Sequence, residues 1–177
     1  MSGAKSFRIF KIIVIFVLLI AFMGCSKVYK PSQYPLKTGM IPEFRGGQPV
    51  NILNVQTNTR KIMLCREGYT NVYGNLHDWT ETAVGLLKTE LEKRDIVVAE
   101  DAPKVLKLAV NKANIYPGFC SMRCILYLKV ETGDGYIAEF EGNNLSPWDY
   151  KRASSGAMTR AVGAMLNDNK ILNYLKE

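Results

Sequence analysis

Three consecutive runs between Lys104 and Glu141 alternate apolar and polar residues with a period of two. That pattern confines this part of the chain to folds with a half-buried sheet. In the first run, Leu106, Leu108 and Val110 alternate with Lys107, Ala109 and Asn111; the run extends over Lys104–Tyr116. In Cys124–Thr132, Leu126, Leu128 and Val130 alternate with Tyr127, Lys129 and Glu131. In Tyr136–Glu141, Tyr136, Ala138 and Phe140 oppose Ile137, Glu139 and Glu141. Between the last two stands Thr132-Gly133-Asp134-Gly135, and Asp-Gly accepts the positive φ of a tight hairpin turn. An antiparallel meander is expected.

Helical spacing appears on either side. Trp79, Ala83, Val84, Leu87 and Leu91 form one apolar face, with Asp78 expected to cap the helix and Glu81 three residues on. Glu90, Glu92, Lys93 and Arg94 are expected to face solvent. A second helix is expected from Tyr150 to Asn167 on Ala157, Met158, Ala161, Val162, Met165 and Leu166, and Ile171, Leu172 and Leu175 close the chain with another helical turn or two. Earlier, Val50–Gln56 reads as a strand with Lys61–Cys65 as its hairpin partner, and Ile96–Val98 reads as a short buried strand. Arg66–His77 is rich in Gly, Asn and Tyr and reads as loop, as does Asn143–Asp149. The order gives an α+β fold: a two-layer sandwich of a mainly antiparallel sheet with two helices packed on one face.

The start of the chain is of another kind. Lys5, Arg8 and Lys11 precede an uncharged apolar block, Ile12 to Met23, and Gly24-Cys25-Ser26 follow it at once. As a helix the block spans about 18 Å, short of the ~30 Å hydrocarbon core, which fits a signal-peptide core better than a membrane span. The ending Phe22-Met23-Gly24-Cys25 resembles the lipobox of bacterial lipoproteins. That resemblance implies cleavage before Cys25, a diacylglycerol on its thiol and an acyl chain on the new amino terminus; more than one chain makes a stable anchor. Ser26, where Asp would mark inner-membrane retention, implies sorting to the periplasmic face of the outer membrane. Residues 1–24 are thus read as a leader, 25–48 as lipidated cysteine plus flexible tether, and 49–177 as the periplasmic α+β domain. Pro31, Pro35, Pro42 and Gly46-Gly47 are the basis for the tether.

Charge excludes little but does weigh against nucleic acid. The net charge of +7 falls to +4 once the three leader cations are removed, and the remaining Lys and Arg are scattered rather than clustered. In the tether, Lys27, Lys30, Lys37 and Arg45 against Glu43 alone would favour an anionic lipid surface or simply stay solvated.

The lipobox, a Val-rich first strand, the helix with its Leu-x-x-Glu-Leu-x-x-Arg pattern, the meander and the closing Ala-Met-Leu-Asn-Asp-Asn-Lys-Ile-Leu-Asn-Tyr-Leu are together similar to YajG-like envelope lipoproteins over residues 50–177. The resemblance implies fold and compartment, not chemistry. One departure is Arg94-Asp95-Ile96, where such proteins usually turn from helix to strand through glycine; Asp is less suited to the left-handed conformation.

No catalytic constellation is visible. His77 is the single histidine, lacks an H-x-x-x-H partner or a nucleophile motif, and is assigned to a loop or capping role. The pairs Glu139/Glu141 and Glu90/Glu92 fall on expected solvent faces. Cys120 and Cys124 flank a turn and are candidates for a disulfide in an oxidising compartment; a bridge from Cys65 to either, or free thiols, are the alternatives. C-x-x-x-C alone does not make a metal site, so neither metal nor cofactor is expected beyond the acyl groups on Cys25. The loop aromatics Tyr69, Tyr73, Phe119, Trp148 and Tyr150 are candidate partner contacts.

The expected protein is a membrane-anchored, non-enzymatic envelope lipoprotein that binds or scaffolds an envelope protein. A lipid- or glycan-binding module with a pocket in the sandwich is the alternative, and an exported hydrolase comes third.

Overall fold

A computed structural model describes residues 26–68 and 70–177. The leader, Cys25 and Tyr69 lie outside the described residues. In chain order the elements are β1 (Ser26–Val28), β2 (Val50–Asn54), β3 (Ile62–Glu67), β4 (Thr70–Gly74), α1 (Leu76–Glu92), β5 (Lys104–Pro117), β6 (Met122–Thr132), β7 (Ile137–Ser146), α2 (Tyr150–Leu166) and α3 (Asn169–Lys176). The fold is α+β; among the described residues there are three helices and two mixed sheets, the helices packed against the larger one.

That larger sheet has the order β2-β5-β6-β7. Its β5–β6–β7 part is the antiparallel meander, while β2 joins β5 in parallel, Val50 opposite Lys104. β2 therefore does not form the expected hairpin with the run after it. The alternation explains which face is buried: Cys124, Leu126, Leu128, Val130 and Thr132 all turn inward along β6. In β5 the inward set is Leu106, Leu108 and Val110, then Ala113 and Ile115. The switch from even to odd coincides with a bulge between Val110 and Lys112, whose extra residue keeps Lys112 out of the core. The turn after β6 has Gly135 at φ 89°, a conformation glycine adopts without steric cost.

β3 and β4 pair antiparallel around Gly68 (φ 58°), and β1 adds to β4 in parallel to complete a second sheet of order β1-β4-β3. The run read as loop from Arg66 to His77 thus contains the end of one strand and the whole of another. Val72 and Gly74 face inward and Tyr73 outward, an alternation too short to stand out among Gly, Asn and Tyr. Likewise β7 runs on to Ser146, through residues expected to be loop. Ile96–Val98 contributes a single parallel bridge, Val98 to Val50, instead of a strand.

α1 begins two residues before Asp78, because Asn75 is the cap: its Oδ1 accepts from the Asp78 N–H at 2.6 Å, and its Nδ2 donates to Asp78 Oδ2. Glu81, expected in a capping box, instead accepts from Asn54 Nδ2. Trp79, Ala83, Leu87 and Leu91 are fully buried against the larger sheet. α2 is capped by Asp149 and buries Ala153, Ala157, Met158, Ala161, Val162 and Met165. The alanines Ala157 and Ala161 permit close approach to β7, where a Cβ on Gly142 would lie 2.0 Å from the Ala157 carbonyl oxygen. α3, capped by Asp168, is held by Tyr174, whose hydroxyl accepts from the Val105 N–H at 2.9 Å.

Residues 29–48, expected as a flexible tether, form a strap across α1 and α2. The strap has no sheet partner beyond β1, so side chains on the helices satisfy its backbone. Trp79 Nε1–H donates to the Tyr29 carbonyl (3.3 Å), Thr82 Oγ1 to Pro31 (3.2 Å), Thr159 Oγ1 to Tyr34 (3.0 Å) and Asn167 Nδ2 to Met40 (2.7 Å). Pro31 and Pro35 have no N–H to satisfy, which suits an extended strap as well as it suits a tether. Pro31, Ile41 and Phe44 are buried.

Candidate anchoring and contact site

Four features meet at one end of the domain. β1 starts there, with Ser26 opposite Asn71 beside the β3–β4 turn, and Lys27 Nζ reaches Glu67 Oε2 at 2.7 Å. The β5–β6 turn lies at the same end, where Pro117 pairs with Met122 and the Gly118 N–H donates to the Ser121 carbonyl at 2.7 Å. Met122 in turn pairs with Ser146, which brings in the loop between β7 and α2. Tyr29 closes the set: its hydroxyl hydrogen-bonds Ser154 Oγ at 2.9 Å near the start of α2. The residue joined to Ser26 is Cys25, so a lipid on Cys25 would leave the protein at this end.

The candidate contact residues divide by burial. Trp148 is 69% exposed, and its φ of 52° is a strained conformation for a large side chain. Phe119, at the tip of the β5–β6 turn, is 96% exposed. Tyr73 is half-buried on β4, paired with Val28 and Met63. Tyr150 is not a surface residue. It is 3% exposed and packs edge-on against Tyr29 at 5.1 Å, and Tyr29 packs edge-on against Trp79 at 6.3 Å. Its place directly after a loop hid the fact that it is the first residue of a buried helix face.

Charge at this end is mostly basic. Lys27 is paired with Glu67 and Arg152 with Asp149 (3.4 Å), whereas Arg66 and Lys151 have no carboxylate partner among the described residues. The hydrogen bond to Glu67 holds the Lys27 ammonium pKa above its usual value. Both ion pairs are exposed and add little to stability.

Among the described residues Cys65, Cys120 and Cys124 are free thiols. Cys124 faces the core from β6, while Cys120 lies exposed in the turn before it. A disulfide needs Cα atoms within ~7 Å. Met122 to Cys124 already spans about 6.6 Å of strand, and Cys120 lies beyond Met122. In the structure Cys120 and Cys124 are not bridged. Burial, with Cys65 nearby, pushes the Cys124 thiol up to about 12, and burial also raises Cys65.

Compared with known proteins, the chain matches no family model and no curated relative.

A recess in the rest of the surface lies under the strap instead of between the layers. It encloses about 620 Å³ between the 36–45 stretch and the end of α1, with Lys37, Arg45, Lys93 and Arg94 around it. At its floor is Glu90, expected on a solvent face but only 2% exposed. Burial disfavours its charge, yet hydrogen bonds from Lys93 (2.8 Å), Arg94 (2.9 Å) and the Leu36 N–H (3.2 Å) outweigh that and hold its carboxyl below the usual range. The strap is what buries it. His77 stands half-exposed at the start of α1 with Nδ1 3.8 Å from Asp78. Among the described residues no group of His, Cys, Asp and Glu is placed to hold a metal ion, and no helix is long and apolar enough to cross a membrane.

Proposed function

We propose that the protein is an envelope lipoprotein, anchored through acyl chains on Cys25 at the periplasmic face of the outer membrane. Its domain is a non-enzymatic module that binds or scaffolds a partner in envelope assembly or transport. The observation that carries the anchoring part is the place of Ser26: the residue that follows the lipobox cysteine is paired with Asn71 of β4. The leader, the lipobox and the likeness to YajG-like lipoproteins support the same compartment. In place of a long tether, the domain is held against the membrane that carries its lipid. A lipid- or glycan-handling pocket within the sandwich has less support, because the helix–sheet interface is filled by side chains such as Trp79, Leu126, Leu128 and Met158.

Labelling cells with a radioactive fatty acid tests the anchor. Label is expected in the wild-type protein and absent from Cys25→Ala; label retained in that variant overturns the reading. The partner is tested by a photocrosslinking residue at Tyr127, half-exposed on the side of β6 opposite the buried face. Reproducible capture of one envelope protein is expected, and capture of none removes the scaffolding role.

A further inference from the structure

Phe119 and Trp148 are the two most exposed large apolar side chains among the described residues, at 96% and 69%. They sit on separate loops, brought to one end of the domain by the Pro117–Met122 and Met122–Ser146 pairings. Trp148 is also held at a φ of 52°, and such strain in a bulky residue costs about 1–3 kcal/mol. A chain under selection for stability alone would place glycine there. Neither side chain contributes to the core.

We propose that this end of the domain seats in the headgroup layer of the membrane that holds the Cys25 lipid, with Phe119 and Trp148 inserted at the interface. The inference rests on the anchoring proposed above. Cys25 is one Cα–Cα step, about 3.8 Å, from Ser26, and Ser26 is held in β1, whose next residue, Lys27, brings its ammonium to 5.3 Å from the ring centre of Tyr150, two residues past Trp148. No slack separates the lipid from this surface, so the bilayer reaches it before any soluble protein does. Trp at the interface puts its ring among the upper acyl chains and its N–H in the wet headgroup layer. Charge agrees: Arg66 and Lys151, without carboxylate partners among the described residues, suit anionic headgroups.

Trp148 reports on its own surroundings, because the sequence has two tryptophans and Trp79 is wholly buried. The full acylated protein is reconstituted into vesicles of phosphatidylcholine and phosphatidylglycerol with brominated acyl chains. Trp148→Gly supplies the Trp79 background and is expected to fold, since glycine relieves the positive φ. The expected result is a blue shift of Trp148 emission, quenching by the brominated chains, and loss of quenching by aqueous acrylamide. Phe119→Asp is expected to weaken the bromolipid quenching without releasing the protein from vesicles. If the protein floats with the vesicles while Trp148 stays open to acrylamide and blind to bromine, the seating is overturned and the anchor stands; the two aromatics then face a protein partner. Failure of the wild-type protein to float overturns both.

Discussion

The carboxylate of Glu90 in α1 accepts the backbone N–H of Leu36 in the strap, 54 residues earlier in the chain, at 3.2 Å. This one bond ties the strap to a charge that Lys93 and Arg94 already hold. Glu90→Gln is expected to lower stability by about 2 kcal/mol at neutral pH, since bonds to a buried charged acceptor are worth more than neutral ones. The Glu90 pKa is depressed in the folded state. Its contribution is therefore present above the unfolded carboxyl value of ~4.3 and is lost as pH falls through the lower folded value. Urea midpoints at pH 7 and below pH 4 check this: the gap between wild type and variant should close in acid. A gap that stays constant would show that the charge is not what counts.

Thiol reactivity should sort by burial. In the native protein, iodoacetamide is expected to modify Cys120 within minutes and to leave Cys65 and Cys124 untouched until denaturant is added. Cys124 is fully buried with its pKa near 12, so it offers almost no thiolate at neutral pH. Mass mapping under non-reducing conditions reads the result directly. A peptide pair linked through Cys120 would contradict the structure.

Asp95 closes the turn after α1 at φ 60°. Left-handed backbone costs a non-glycine residue roughly 1 kcal/mol. Asp95→Gly is expected to recover part of that, offset by the extra freedom glycine gives the unfolded chain. A rise in melting temperature of a few degrees, about 0.5 kcal/mol, is the expected outcome by calorimetry.

Gly142→Ala should do the opposite, and strongly. The added methyl would lie 2.0 Å from the Ala157 carbonyl oxygen and 2.9 Å from the Ala161 Cβ, so α2 must lift away from β7. Overpacking of this kind costs about 1–3 kcal/mol or more. The same change at Gly135, where no atom lies within 4 Å, meets only backbone strain and should cost less. Denaturation midpoints of the two variants test that order.

The parts of the fold that local chemistry decides were readable in the sequence. Leu126, Leu128 and Val130 announced β6 through their spacing, Asp134-Gly135 announced its turn, and Asp95 marked the point where a glycine was wanted. What could not be read depends on distant partners. Val72 looks like a loop residue until β1 and β3 flank it. Glu90 looks solvated until Leu36 arrives over it. Pro31 and Pro35 signal an extended chain, but nothing in their neighbourhood tells whether that chain floats or is strapped down; Thr82 and Thr159, 51 and 125 residues away from the carbonyls they bind, decide that. At the candidate site, the exposure of Trp148 and Phe119 followed from their loops. The burial of Tyr150 followed from a helix face that begins at its own position.

The strap also sets an order of events. Ser32, Tyr34 and Met40 bind Ser155, Thr159 and Asn167, so the earliest part of the domain rests on almost the last. In a chain exported amino terminus first, as the leader implies, those partners emerge only when translocation is nearly complete. Until then the strap has nothing to lie on, and if Cys25 is acylated and the leader cleaved as proposed, the enzymes that do so would meet an open substrate. On the proposed anchoring, docking of the strap would end this interval, and folding itself would act as the clock for maturation.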